Sequence, residues 1–222
     1  MAEPTGLQLF AHPFSSYCQK ALIALYANAT PFTLRMLDPE HLDNGADLAK
    51  RWPFGQFPVL IDGERTIPEA SIIIEYLDRH HPGAHRLVPE GDAAIEVRLL
   101  DRVFDTSVMT PMQKIVGNAI RPFQTRDPTG VAEARAKLDI AYAWLDAHLA
   151  GRTWAAGDAP TLADCAAAPS LFYADWAHPI GDAHATLRAY RARLLGWAPF
   201  ARAVEEARPY RAFFPLGAPD RD

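Results

Sequence analysis

Apolar positions along the first eighty residues fall into short runs and short periods, each of which implies one element. Leu7–Phe10 is an apolar run ending at Ala11-His12-Pro13, which predicts a strand followed by a turn. After Ser15-Ser16-Tyr17-Cys18, Ala21, Leu22, Leu25 and Tyr26 repeat at the spacing of one helical face. Pro31 to Leu37 alternates apolar and polar side chains and predicts a second strand, whereas Asp38 to Asp47 has no period and reads as a loop. Phe57-Pro58-Val59-Leu60-Ile61 runs into Asp62-Gly63, a hairpin signal, and Glu64 to Ile67 supplies the return strand. Ile72, Ile73, Tyr76 and Leu77 then fall at helical spacing, and His81-Pro82-Gly83 ends that helix. The order is βαβ followed by ββα.

From His81 to Asp92 the apolar period disappears, and Pro82, Gly83, Pro89 and Gly91 punctuate the segment as in a linker between domains. The pattern beyond it is helical throughout. It predicts helices from Ala93 past Phe104 toward Gln113, then Gly130–Ala150, Thr161–Trp176, about Ala183 to Leu195, and Pro199–Ala207. The expected organisation is an α/β domain over residues 1–83 and an all-helical domain over 92–222.

Composition narrows the class. The 222 residues are 49% hydrophobic and 22% charged, enough to build a core and too apolar for a disordered chain. A formal charge of −5, with no stripe of Lys and Arg, argues against a nucleic-acid partner. Met1–Thr5 shows no basic leader, and no apolar run is long enough for a membrane span, so the cytoplasm is the expected compartment. Two distant cysteines, Cys18 and Cys165, provide neither a disulfide framework nor a metal cluster, and no metal site is expected. The nineteen prolines are scattered and read as boundary markers.

Three places could carry chemistry. A strand-to-helix turn puts free N–H groups and the positive helix end beside Ser15 and Ser16, where a thiolate would be stabilised by a serine hydroxyl. Either serine could equally be only an N-cap. Cys18, one turn inside and without a partner three residues before it, reads as a core residue. In Gly55-Gln56-Phe57-Pro58-Val59-Leu60 the proline removes a ladder donor, so either this is an edge strand or the Phe57–Pro58 bond is cis and turns the Phe57 backbone toward a ligand. Pro68-Glu69-Ala70-Ser71 opens a helix, where free N–H groups could receive a carboxylate and Glu69 could instead only offset the dipole. In the helical half, Phe14 with Met109, Met112, Ile115 and Phe123 offers an adaptable apolar wall, although such a stripe is more often core.

In this order, these features resemble the cytosolic glutathione transferases, serine-type and zeta/theta-like, over nearly the whole length. Glu69-Ala70-Ser71-Ile72-Ile73-Ile74-Glu75-Tyr76-Leu77 is similar to the start of the family's third helix. Ala159-Pro160-Thr161-Leu162-Ala163-Asp164 is similar to its Ser/Thr-x-x-Asp capping box. The resemblance implies a thioredoxin-like N-terminal domain joined to an all-helical domain, with glutathione as co-substrate and a homodimer as the assembly. It places the catalytic hydroxyl on Ser15, with Ser16 as rival, and glutathione contacts on Ser15, Gln56, Phe57, Pro58, Glu69, Ala70 and Ser71. Counting back from Tyr76-Leu77 puts Ala70 where the family has serine, leaving its backbone N–H for the γ-glutamyl carboxylate.

The activity this implies is conjugation of glutathione to a small hydrophobic electrophile held near Phe14, Met109 and Met112. Two alternatives accompany it: a glutathione-dependent isomerase of the maleylacetoacetate type, and a non-catalytic binding module that keeps the fold.

Overall fold

The computed structural model describes residues 6–222; Met1–Thr5, read above for a leader, lie outside the described residues. The N-terminal half runs β1 (Gln8–Ala11), α1 (Ser16–Ala27), β2 (Thr33–Met36), α2 (Leu42–Arg51), β3 (Val59–Asp62), β4 (Arg65–Pro68) and α3 (Ala70–His80). The strands form one mixed sheet in the order β2-β1-β3-β4. β1 pairs parallel with β2 through the α1 crossover and antiparallel with β3, with Leu9 opposite Leu60. This is a thioredoxin-like arrangement with helices on both faces of the sheet.

Alternation along the strands explains the two faces. Leu7, Leu9, Ala11 and Leu60 pack with Leu22 and Leu25 of α1 and Ile73 and Leu77 of α3. Phe10, Val59 and Ile61 point to the other face, against Leu48 of α2. α2 replaces the loop expected over Asp38–Asp47. It buries only Leu48, so one contact per helix leaves no period to read.

The second half comprises α4 (Ala93–Val103), a π-helical segment (Phe104–Met109), α5 (Thr110–Ala119), α6 (Pro128–His148), α7 (Leu162–Ala177), α8 (Ala185–Leu195) and α9 (Ala198–Ala207). Every residue of α7 is buried. Its Ala-rich sequence leaves room for α1 and α4 to pack closely on either side of it, so α7 is the axis of the helical domain and also its contact with the first domain. Among the described residues no helix is long and apolar enough to cross a membrane.

The start of α7 is fixed by the capping box read from the sequence. Thr161 Oγ1 accepts the Ala163 N–H at 3.2 Å, and Asp164 accepts the Thr161 N–H at 2.8 Å. Asp164 also accepts the Ala155 N–H at 2.9 Å and the Tyr190 hydroxyl at 2.7 Å, so one buried carboxylate gathers three segments. Burial nevertheless pushes its carboxyl up from the usual range. Thr161→Ala removes the cap together with the hydroxyl's 3.1 Å bond to Asp164 and is expected to lower unfolding free energy by roughly 0.5–2 kcal/mol. Urea titration checks this: an unchanged midpoint would mean that Asp164 alone holds the helix end.

Candidate active site

A cleft of about 560 Å³ opens between the sheet domain and the helix running from α4 to α5. Ser15, at the end of the β1–α1 turn, forms one corner. Its backbone is extended (φ −81°, ψ 124°) and its Oγ accepts the Cys18 N–H at 3.4 Å, so it is the N-cap of α1. A capping hydroxyl accepts through a lone pair and keeps its proton to donate elsewhere. The cap and the catalytic candidate are thus compatible roles for one oxygen. The N–H groups of Ser16 and Tyr17, in the first turn, have no intrahelical acceptor.

The turn is held from both domains. Gln19 Nε2 donates to Pro13 O at 2.9 Å and to the Tyr173 hydroxyl at 3.1 Å, and that hydroxyl donates to Phe14 O at 3.1 Å. Tyr173 lies in α7, so the helical domain fixes the loop that carries Ser15.

Ser16 is buried in the first turn and does not line the cleft. Cys18 is fully buried, and burial pushes its thiol up to about 12, so it stays protonated and belongs to the core as read from sequence. Tyr17 does line the cleft. Its phenol is pushed up to about 12 by burial and then by the negative charge of Asp105, so it enters as a neutral hydroxyl donor.

Gln56, Phe57 and Pro58 form the next wall, and the Phe57–Pro58 bond is cis. Trp52, at the end of α2, closes this side. Glu69 and Ala70 follow at the start of α3. Glu69 has φ 70° and ψ 122°, a left-handed conformation that a side chain adopts only when the surroundings impose it. It makes no side-chain cap, which leaves the first N–H groups of α3 without an intrahelical acceptor beside the cleft.

Ser71 is placed differently from the expectation. Its Oγ accepts from Lys20 Nζ at 2.8 Å and donates to Asp101 at 2.8 Å, and it does not line the cleft. Lys20, 1% exposed, also pairs with Asp101 at 2.5 Å and with Asp105 at 2.8 Å. Here α1 and α3 of the first domain meet α4 and the π segment of the second.

The expected apolar wall is also elsewhere. Met109, Met112 and Ile115 are buried in the helical core, Phe14 packs edge-on against Tyr173 at 5.6 Å, and Phe123 is exposed on a 3₁₀ turn. The cleft side of this helix carries Arg102, Asp105, Thr106, Thr110 and Gln113 instead. The two methionines each sit one residue before a cleft residue. Adjacent helix positions point about 100° apart, so core and cleft faces alternate along the same helix.

Residues 9–85 match the family model described as the glutathione S-transferase N-terminal domain, and residues 128–198 match that of the glutathione S-transferase C-terminal domain. The chain is 30% identical over 166 residues to a probable maleylacetoacetate isomerase from Vibrio cholerae, covering 71% of this chain and 74% of that protein. The chain belongs to the glutathione S-transferase family. It is also 33% identical over 129 residues to the glutathione S-transferase-like protein LUC7 of Fusarium sp, a stretch that spans 56% of this chain and 57% of that relative. Among solved structures, a glutathione S-transferase from Methylobacterium radiotolerans in complex with glutathione sulfonate superposes with TM-score 0.76 at 26% identity, covering 89% of this chain and 94% of that one.

Within this glutathione S-transferase fold, the two helix starts, α1 and α3, and the cis peptide border one cleft. Sequence reasoning missed Tyr17, Trp52, Arg102, Asp105, Thr106, Thr110 and Gln113. Tyr17 stood inside the quoted Ser-Ser-Tyr-Cys motif and was the one with a visible signal.

Proposed function

We propose that the chain binds glutathione in this cleft and transfers its thiolate to a small electrophile. The observation that carries the reading is Ser15: a half-buried hydroxyl at the start of α1 that lines the cleft, with its oxygen accepting the Cys18 N–H. A thiol has an ordinary pKa of about 8.5, and one charge-assisted hydrogen bond with a helix N-terminus is enough to bring it near neutrality. The γ-glutamyl carboxylate takes the open N–H groups of α3 at Ala70, and the peptide part lies along Phe57. The solved relative that holds glutathione sulfonate supports this placement by its fold.

In the reaction, the sulfur lone pair forms the S–C bond. In a substitution the leaving group departs with the bonding electrons. In an addition to a double bond the adjacent carbon takes a proton from solvent. Glutathione-dependent isomerisation is the second reading, supported by the Vibrio cholerae relative and by an arginine in the cleft.

The test is calorimetric titration with glutathione, followed by a spectrophotometric assay with 1-chloro-2,4-dinitrobenzene. Binding with turnover is expected. Binding without turnover on any electrophile would leave the non-catalytic module, and absence of binding would end the reading.

A further inference from the structure

The wall across from Ser15 is polar where the transfer of glutathione to an apolar electrophile would call for an apolar one. Arg102, Thr106, Thr110 and Gln113 line it in steps of four, four and three, the spacing of one continuous helical face. Both threonine hydroxyls are spent on the helix itself, Thr106 donating to Arg102 O at 2.6 Å and Thr110 to Asp105 O at 3.0 Å. They offer the cleft only methyl groups and lone pairs. Donor capacity on this wall therefore rests with Arg102 and the Gln113 amide.

Arg102 is the cationic side chain among those lining the cleft. Among the described residues it pairs with Asp105 at 3.7 Å, beyond hydrogen-bond length, and its side chain is 63% exposed. Asp105 is also hydrogen-bonded by Lys20 at 2.8 Å, so its attraction is shared and the guanidinium N–H groups are left to bond elsewhere. The remaining carboxylate of the cleft, Glu69, belongs to the opposite wall at the start of α3. A planar donor fork, unspent and facing a cleft, suits a carboxylate.

We infer that the second substrate of this cleft carries a carboxylate, which Arg102 receives, so that Arg102 is a specificity-determining residue. The inference rests on glutathione occupying the other half of the cleft. Arg102 takes no part in the covalent step; it orients the electrophile's anionic end away from the sulfur.

Calorimetry with two synthetic conjugates tests this without requiring turnover: S-(4-carboxy-2-nitrophenyl)glutathione and its methyl ester, each titrated into the full chain and into Arg102→Gln. In the unaltered protein the acid is expected to bind roughly fivefold tighter than the ester, the scale of a partly exposed charge pair, and the gap is expected to close in Arg102→Gln. A gap that survives the substitution, or no gap at all, overturns the inference. So does a loss of affinity for glutathione itself in Arg102→Gln, which would assign Arg102 to the tripeptide. Titration of glutathione alone into the unaltered protein separates these outcomes from failure of the functional reading.

Discussion

Ser15→Ala is expected to lower kcat at about pH 6.5 by roughly ten- to a hundredfold, the equivalent of one charge-assisted hydrogen bond of about 1.5–3 kcal/mol at about 1.4 kcal/mol per decade. Glutathione affinity should fall far less, because the tripeptide is held mainly at Phe57 and Ala70. The pH dependence separates this from a merely structural effect. If Ser15 holds the thiolate, the alanine variant regains activity as pH rises toward the ordinary thiol value of about 8.5, and its rate profile shifts alkaline by one to two units. Loss of the α1 cap alone would lower stability without moving the profile. Ser15→Thr restores a hydroxyl and should recover much of the rate. An alanine variant as active as the parent, with the same profile, would remove Ser15 from the mechanism.

Lys20→Met is expected to be the most destabilising single change, by about 3–5 kcal/mol, because it strands two buried carboxylates rather than removing an isolated favourable pair. Lys20, Asp101, Asp105 and Ser71 form one closed cluster between the domains. Asp105 supplies the pH signature. Burial already pushes its carboxyl up, against the opposing pull of Lys20, and removing that pull raises it further. A group whose folded pKa lies above its unfolded value favours the fold below the unfolded value and loses that contribution as pH rises through the folded one. The deficit of Lys20→Met should therefore be small below about pH 4 and grow as the solution is made more alkaline. Chemical denaturation at a series of pH values measures it. The triple variant Lys20→Met with Asp101→Asn and Asp105→Asn should recover much of the loss, and a triple variant no more stable than the single one would mean that the cluster matters through packing and not through charge.

The legibility of the sequence divides along physical lines. β1, β3, α1 and α3 could be read because each buries one full face, and burial imposes a period. α2 could not, since it rests on the sheet through Leu48 alone. The corner at Ser15 and the turn at Phe57-Pro58 were visible because a cap and a proline are local events whose residue types follow from backbone geometry. Ser71 looked like a ligand contact because it follows Glu69-Ala70, but its hydroxyl is claimed by Lys20, 51 positions earlier, and by Asp101, 30 positions later. Contacts of that range leave no mark on local spacing. Met109 and Met112 lie in the helical core because an apolar stripe marks a buried face without saying whether that face looks to the core or to the cleft.

The contact from α7 to the turn before α1 also bears on what each domain can do by itself. Gln19 and Tyr173 join across the domains and Tyr173 holds Phe14 O, so the turn that presents Ser15 takes part of its shape from a helix residue 159 positions beyond Phe14. The first domain alone would keep Ser15, Phe57 and Ala70 and still lose the bonds that hold that turn in place.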